Sequence, residues 1–598
     1  MIVRKSYLRR RAEHGPGNRI SDDPRPRGDG SVFGRLTDFL GFGRHRQVGE
    51  LWETAVPDLL SPAGGPGPDH DQLISLLDLA FLGRVSAGEL DRELDAMSCG
   101  DSDWVTDYFA QDLYLSELVR GSLAIELRGH PHKAHAGFLE RVLSNPALDL
   151  ETIRYRQEIL RELEANADLA ESFDELFARV IRLLTLLRAS RDDARLEPVR
   201  FRFDVLRAFR AAVEQMTQGF LGATSGLQRL SEEGRLIENS AAFRRLQALL
   251  EHHESMATLE LEAMVGADGR LRHLEIRGLR EKRKNPFFRR PLRRWLDRIR
   301  IFYHRYSLHS GELVERMVMG VYHEIAPAMA RIVQLVCHLE VYAAARSFAS
   351  RARSRGLDVS LPEISLDAVL EIEGLFNPLL LPLMDRPVPT DLMIDRESPI
   401  TLVTGPNSGG KTRLLQAVGI AQILAQSGMY APCGRATLPF ASGLFASIVE
   451  ADRADQPEGR LGTEMVRLRT LFENVPPRSL VLLDELCSGT NPSEAIEIVE
   501  LVLRLLRQLD PLALVTTHFL DFATQLQSNP TLDGLGFLQA EVDDERGATF
   551  RFIRGVATTS LAVGTARRLG VTFEELERTL ERRANRNADD GIDLEPEP

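Results

Sequence analysis

The sequence predicts an α plus α/β protein: a helical region followed by a layer in which helices cover a largely parallel core sheet. Between about residues 48 and 360, apolar residues recur at three- and four-residue spacing with charges between them, as in Leu150 to Leu163 and Phe173 to Leu187. That is the period of amphipathic helices, and β-branched runs are scarce, so long helices are expected rather than a sheet. From about 361 to 575, short apolar runs alternate with helical stretches: Ile400 to Thr404, Leu444 to Val449, Leu480 to Leu483 and Leu512 to Thr516. Buried strands alternating with helices form parallel sheets. One of these runs enters a glycine-rich turn that opens a helix.

Composition narrows the class. At 598 residues, 43% hydrophobic and 27% charged, the chain excludes wholesale disorder. Its length suits about three to five domains. Cys99, Cys337, Cys433 and Cys487 are widely spread and form no C-x-x-C pair, which excludes a disulfide scaffold, argues against structural zinc and fits a reducing compartment. No run of about 18 apolar residues is seen, so no spanning helix is expected. The opening Met1-Ile2-Val3-Arg4-Lys5 is not followed by a signal-peptide core, so a cytoplasmic location is expected. The net charge is −13; such a chain binds nucleic acid only through a local basic patch.

Five stretches are expected. Residues 1–47, with Gly15-Pro16-Gly17 and Pro24-Arg25-Pro26-Arg27-Gly28, read as a mobile, mildly basic tail. Residues 48–145 form a helical N-terminal region, interrupted by the turn-rich Ser61 to Pro68. Residues 146–360 continue the helices, 361–585 form the α/β layer, and 586–598 are an acidic tail.

The chemistry lies in the α/β layer. Gly405-Pro406-Asn407-Ser408-Gly409-Gly410-Lys411-Thr412 matches G-x-x-x-x-G-K-[ST] in full. An apolar strand enters this loop and an amphipathic helix leaves it, with Gly428 marking the helix end. The glycines let backbone N–H groups close around phosphate oxygens, and the helix N-terminus adds its positive dipole end. Lys411 is placed to reach the β- and γ-phosphates of ATP, and the Thr412 hydroxyl to ligate Mg2+. Next, Leu480 to Leu483 ends in Asp484 and Glu485, at the strand end where ligands of open α/β sheets sit. Asp484 is expected to hold the magnesium, directly or through water, and Glu485 to act as the general base for the attacking water. Finally, Leu514-Val515-Thr516-Thr517-His518 carries another strand into a polar residue. His518 suits a bond to the γ-phosphate or the water.

This ordered set, with Cys487-Ser488-Gly489-Thr490-Asn491-Pro492 after the acids, resembles the ATPase domain of the MutS DNA mismatch-repair family, a branch of the ABC-type ATPases. Leu361-Pro362-Glu363-Ile364, Gly374 to Pro378, Val388-Pro389-Thr390-Asp391 and Thr558 to Gly570 resemble its flanking segments. Asp149 to Glu158 and His338 to Ala345 resemble the helical core and lever of that family. The resemblance implies an ATP-hydrolysing homodimer in which ATP closes the dimer and moves levers that grip DNA, in repair or recombination.

There are departures. The tripeptide Phe138-Leu139-Glu140 matches a mismatch-reading wedge, but it stands in a helical stretch without a surrounding reader domain and reads as a chance match. No mismatch-reader, connector or Smr-type nuclease domain is expected. The signature loop, Glu458 to Met465, lacks the family's usual serine, with Gly462 or Thr463 as its substitutes, which puts activation by the partner subunit in question.

Arg277 to Arg305 holds about a dozen Lys and Arg residues, among them Arg283, Lys284, Arg289, Arg290, Arg293 and Arg294, with Phe287, Phe288, Trp295, Phe302 and Tyr303 between them. Phosphate-backbone binding to DNA is one reading. A solvated helix face, a protein-facing patch and an anionic membrane surface are others. The functional reading is thus a Mg2+-dependent, DNA-coupled ATPase. The alternative is a slow-turnover, ATP-gated clamp or scaffold on branched DNA, RNA or a protein complex. An SMC- or transporter-like ATPase is the weaker third.

Overall fold

The computed structural model describes residues 58–589 except 64–69, 98, 100–101, 189–197, 257–258, 266–270, 280–309, 367–368, 407, 449–458, 488–489, 529–531, 544–546 and 559–569. All described residues belong to one unit, Ala55–Pro598. The expected basic tail, Asn407, the Arg283 to Arg294 cluster and the extreme C-terminus lie outside them.

The helical prediction holds over the first half. α1 (His70–Phe81) is followed by α2 (Ala87–Asp95), which starts at a capping box where Glu89 accepts the Ser86 N–H at 3.1 Å. After a 3₁₀ turn at Thr106–Tyr108 come α3 (Leu115–Arg120) and a hairpin, β1 (Ile125–Leu127) with β2 (His130–His132). Arg128 and Gly129 between them both have positive φ, the backbone a two-residue hairpin turn needs. α4 (Ala136–Ser144) leads to α5 (Leu150–Ala165), whose first turn is capped by Asp149 accepting the Thr152 N–H at 2.6 Å. Asn166 caps α6 (Ala167–Leu187) in the same way. α7 (Pro198–Gly219), α8 (Gln228–Glu238) and α9 (Ala241–Met256) complete this set. A second hairpin, β3 (Leu259–Val265) and β4 (Leu271–Leu279), precedes the 44-residue α10 (Ser310–Arg353). The two hairpins correct the expectation of helices alone. Each pairs only with itself, so neither produces the long apolar run that marks a buried strand.

α10 is the axis of the helical part and packs against α1, α6, α7 and α9. Its stretch Val318–Arg353 has the length and composition of a membrane span, which the sequence reading did not anticipate. The apolar window is wholly buried by the surrounding helices, as in a core helix of a packed protein. One carboxylate is buried with it. Glu340 is fully buried and accepts from His132 Nε2 at 3.0 Å, from His135 Nδ1 at 3.0 Å and from the His135 backbone N–H at 2.8 Å. The far nitrogen of His135 accepts from Arg188 at 2.8 Å, so its Nδ1 is the protonated one.

The chain then changes texture. β5 (Glu363–Ser365), β6 (Leu370–Leu375) and β7 (Thr390–Ile394) precede β8 (Ile400–Thr404) and α11 (Lys411–Gln426). β9 (Arg435–Pro439), β10 (Leu444–Ser447), α12 (Gly459–Asn474), β11 (Leu480–Leu483) and α13 (Pro492–Leu506) follow. β12 (Leu512–Thr517), α14 (Leu520–Ser528), β13 (Leu535–Asp543), β14 (Gly547–Arg554) and α15 (Phe573–Asp589) end the described chain. A four-stranded sheet has the order β5-β9-β6-β7, and a six-stranded sheet the order β10-β11-β12-β8-β13-β14. In the larger sheet every pair is parallel except β13 with β14. β8, β11 and β12 are buried at every residue, because helices cover both faces. Leu471, Val499, Leu503 and Phe522 from α12, α13 and α14 pack on one face, against Leu402, Val481 and Val515. α11 covers the other, where a Cβ on Gly419 would lie 2.9 Å from both Leu482 and Leu113.

Candidate nucleotide site

The register brings three chain segments to one sheet edge. Thr404 pairs with Thr517, and Val515 with Leu483. The loop after β8, the acids after β11 and His518 after β12 therefore emerge side by side at the carboxyl ends of the strands. The glycines are required there. Gly410 caps α11 with φ +87°, and Gly405 has φ +137°, a backbone open only to glycine. A Cβ on Gly405 would lie 2.7 Å from the Ala540 Cβ on β13, and one on Gly409 would lie 3.0 Å from it. The loop is pressed onto β13 and leaves its other side to a ligand.

Lys411, 3% exposed, crosses the loop. Its Nζ lies 3.0 Å from the Gly405 carbonyl oxygen, 3.2 Å from that of Pro406, and 3.0 Å from Glu485 Oε1. The Thr412 hydroxyl donates to Asp484 Oδ2 at 2.6 Å, and the Thr516 hydroxyl donates to Oδ1 at 2.5 Å. The Thr516 oxygen also accepts the Glu485 N–H at 2.9 Å, so one β12 side chain sets both acids. Burial pushes the Asp484 carboxyl up; the two threonine bonds partly offset this, and neighbouring Glu485 adds to it. Glu485 has φ +43°, which turns its side chain back to Lys411. His518 Nδ1 stands 3.7 Å from Glu485 Oε2. A hydroxyl and a half-buried carboxylate whose oxygens already touch are a hard-oxygen donor pair, and they fit a magnesium ion.

Beside the loop is a cavity of about 470 Å³, lined by Leu375, Asn377, Val388, Thr390, Phe550 and Phe552 together with Ser408 and residues 410–414. Sequence reasoning singled out Gly374 to Pro378 and Val388 to Asp391 only as flanking segments, and it missed the two phenylalanines. Phe550 has φ +61° and reaches within 3.4 Å of where a Gly410 Cβ would stand. The alternation Phe550-Arg551-Phe552 signals a strand but not what that strand faces.

The family model described as MutS domain V matches residues 401–582. Endonuclease MutS2 of Streptococcus agalactiae serotype Ia is 31% identical over 214 residues, which is 36% of this chain and 27% of that protein. Endonuclease MutS2 of Thermus thermophilus is 30% identical over 230 residues, 38% of this chain and 30% of its own. The chain is MutS-related.

The matches cover less than a third of the length of these MutS2 relatives. Within this MutS-related chain, the segment read as a signature loop is helical from Gly459 onward. Gly462 and Thr463 lie in the first turns of α12, and Glu458 lies outside the described residues. The Phe138 tripeptide is a core feature. Phe138 is fully buried in α4 and stacks on His338 with ring centroids 6.1 Å apart, so it has no exposed ring to insert between bases.

Proposed function

We propose that this chain binds and hydrolyses ATP as a MutS-type ATPase and couples the nucleotide to binding of DNA. The observation that carries the reading is the Thr412–Asp484 contact beside the Lys411–Glu485 pair, under the loop at the strand ends. The loop N–H groups and the N-terminus of α11 bind the phosphates, Lys411 neutralises them, and the apolar cavity with Phe550 and Phe552 takes the base. Thr412 and Asp484 would hold Mg2+, which would supply neutralisation of the phosphate charge. Phosphate competes with Glu485 for Lys411 and frees the carboxylate. Glu485 then accepts a proton from water as the water oxygen bonds to the γ-phosphorus and the γ-phosphorus bond to the β-phosphate oxygen breaks, leaving ADP and phosphate. His518, beside Glu485, orients the water or senses the γ-phosphate.

Residues 146–360 act as core and lever and 361–585 as the ATPase part. The change from helices to sheet after Arg353 supports that division. DNA contact is assigned to the Arg283, Lys284, Arg289, Arg290, Arg293 and Arg294 segment, and the working form to a homodimer in the cytoplasm. The free state of all four cysteines fits a reducing setting. A second reading, a slow ATP-gated clamp, is favoured by Gly462 and Thr463 standing where the family's serine is expected.

The test is steady-state ATP hydrolysis by the full chain and by Glu485→Ala, alone and with plain, mismatched and branched DNA or RNA at fixed salt. Turnover raised by one DNA form and lost in the variant supports the proposal. Wild-type turnover no greater than the variant's in every condition sinks hydrolysis and leaves the clamp.

A further inference from the structure

Glu464 stands in the second turn of α12, and its Oε2 accepts the Cys487 backbone N–H at 2.8 Å. That N–H belongs to the turn after β11, where Glu485 (φ +43°) and Cys487 (φ +58°) both hold left-handed backbone. Residues with a Cβ keep such backbone only where their surroundings hold it. Two bonds do so here, at either end of the turn: Thr516 takes the Glu485 N–H, and Glu464 takes the Cys487 N–H. α12 is itself anchored three residues further on, on the same face. Arg467 donates to Asp112 Oδ2 at 2.5 Å and to the Ala446 carbonyl oxygen at 2.6 Å. Asp112 is 2% exposed, and its other oxygen accepts the Ile448 N–H at 2.7 Å. Next to it, Leu113 packs on Gly419 of α11.

We propose that Glu464 is a positioning residue for hydrolysis: it pins the Cys487 amide so that the turn presents Glu485 to the phosphate loop, and the Asp112–Arg467 pair fixes the helix that carries it. Glu464 touches no reacting atom; it acts through the backbone. The inference deepens the ATPase reading and rests on it. It also gives residues 109–114 a use, because a shift of that segment loosens α12 and hence the turn.

The experiment compares the full chain with Glu464→Ala and Glu464→Gln, reading kcat, KM and amide hydrogen exchange of peptides spanning residues 484–487. Glu464→Ala is expected to lower kcat by roughly ten- to a hundredfold, the range for misplaced catalytic groups, with KM within about twofold. Glu464→Gln keeps a carbonyl acceptor and is expected to stay within about threefold of wild type. Exchange should quicken in the alanine variant only. Asp112→Asn should shift kcat in the same direction by a smaller factor. If the alanine variant does not fold, Glu464→Met, which suits a helix, replaces it. Wild-type kcat in the alanine variant, equal losses in both variants, or unchanged exchange would each overturn the proposal. If the wild-type chain shows no turnover, the hydrolysis reading fails by itself, and the exchange measurement alone decides whether Glu464 holds the turn.

Discussion

The Lys411 ammonium lies 3.0 Å from the Glu485 carboxylate, joining the cation of the glycine-rich loop after β8 to the candidate base after β11, two strands away in the sheet. The ammonium is almost fully buried, so without Glu485 it would keep the Gly405 and Pro406 carbonyls but lose its counter-charge, which is costly. Lys411→Ala is expected to weaken ATP binding by about ten- to a hundredfold, the scale of one charge-assisted phosphate contact. Titration with a fluorescent ATP analogue checks it, and unchanged affinity would remove Lys411 from the phosphate site.

Glu485→Gln keeps the shape of the side chain and loses the base. Turnover should fall by about 10²- to 10⁴-fold while ATP affinity stays close to wild type. A variant that still turns over at the wild-type rate would transfer the base role elsewhere, with His518 the first candidate by position.

The approach of Gly405 to Ala540 makes a stability prediction independent of activity. An added methyl at Gly405 meets the Ala540 Cβ at 2.7 Å in backbone that disfavours a side chain. Gly405→Ala should cost about 1–3 kcal/mol. Adding Ala540→Gly should recover only the steric part. Thermal unfolding of the single and double variants measures both, and an unchanged midpoint in Gly405→Ala would contradict this packing.

Glu340 gives a pH dependence. Burial raises its carboxyl, but the bonds from His132 and His135 outweigh this and hold it below the ordinary 4.5. A folded-state value below the unfolded one stabilises the protein at pH above 4.5, and that contribution is lost as pH falls through the lowered value. Arg188 and Asp91 also face His135. Glu340→Gln should cost about 1–3 kcal/mol at neutral pH. It should also flatten the fall of the unfolding midpoint between pH 5 and acid, on the order of one titrating group. Equal slopes in variant and wild type would refute the bonds of His132 and His135 to Glu340 as a source of acid sensitivity.

The basic segment is tested by salt. Replacing Arg289, Arg290, Arg293 and Arg294 with Ala should weaken duplex binding irrespective of sequence. It should also lower the slope of log K against log salt by about 0.9 for each phosphate no longer neutralised. An unchanged slope would favour one of the other three readings of that segment.

Much of this site was legible from short stretches of chain. A loop of eight residues, two acids after a buried strand and a His after another all carry local signals, and the predicted strands end within two residues of the observed ones. The long helices were legible because their apolar residues repeat every three or four positions. The first hairpin was not, since three-residue strands such as Ile125–Leu127 are too short for a period-two pattern to stand out; the second was missed although its seven- and nine-residue strands alternate, as in Leu259-Glu260-Leu261-Glu262.

By itself, the amino-acid order marked the buried strands of the parallel layer, the glycine-rich loop and Lys411, Thr412, Asp484 and Glu485 as candidates, because each signal lies within a few consecutive residues; that Thr412 meets Asp484, 72 residues away, was decided by the fold. Only the tertiary structure decided that Ala540 backs the loop, that Phe550 and Phe552 wall the cavity, that Glu464 pins Cys487 and that Glu340 is satisfied by His132 and His135. Ala540 is more than a hundred residues from the glycines it touches, and Glu340 about two hundred from its histidines. Such contacts leave no periodicity in the sequence; they exist because sheet register and helix packing bring distant backbone together, and the polar groups buried there must then find partners.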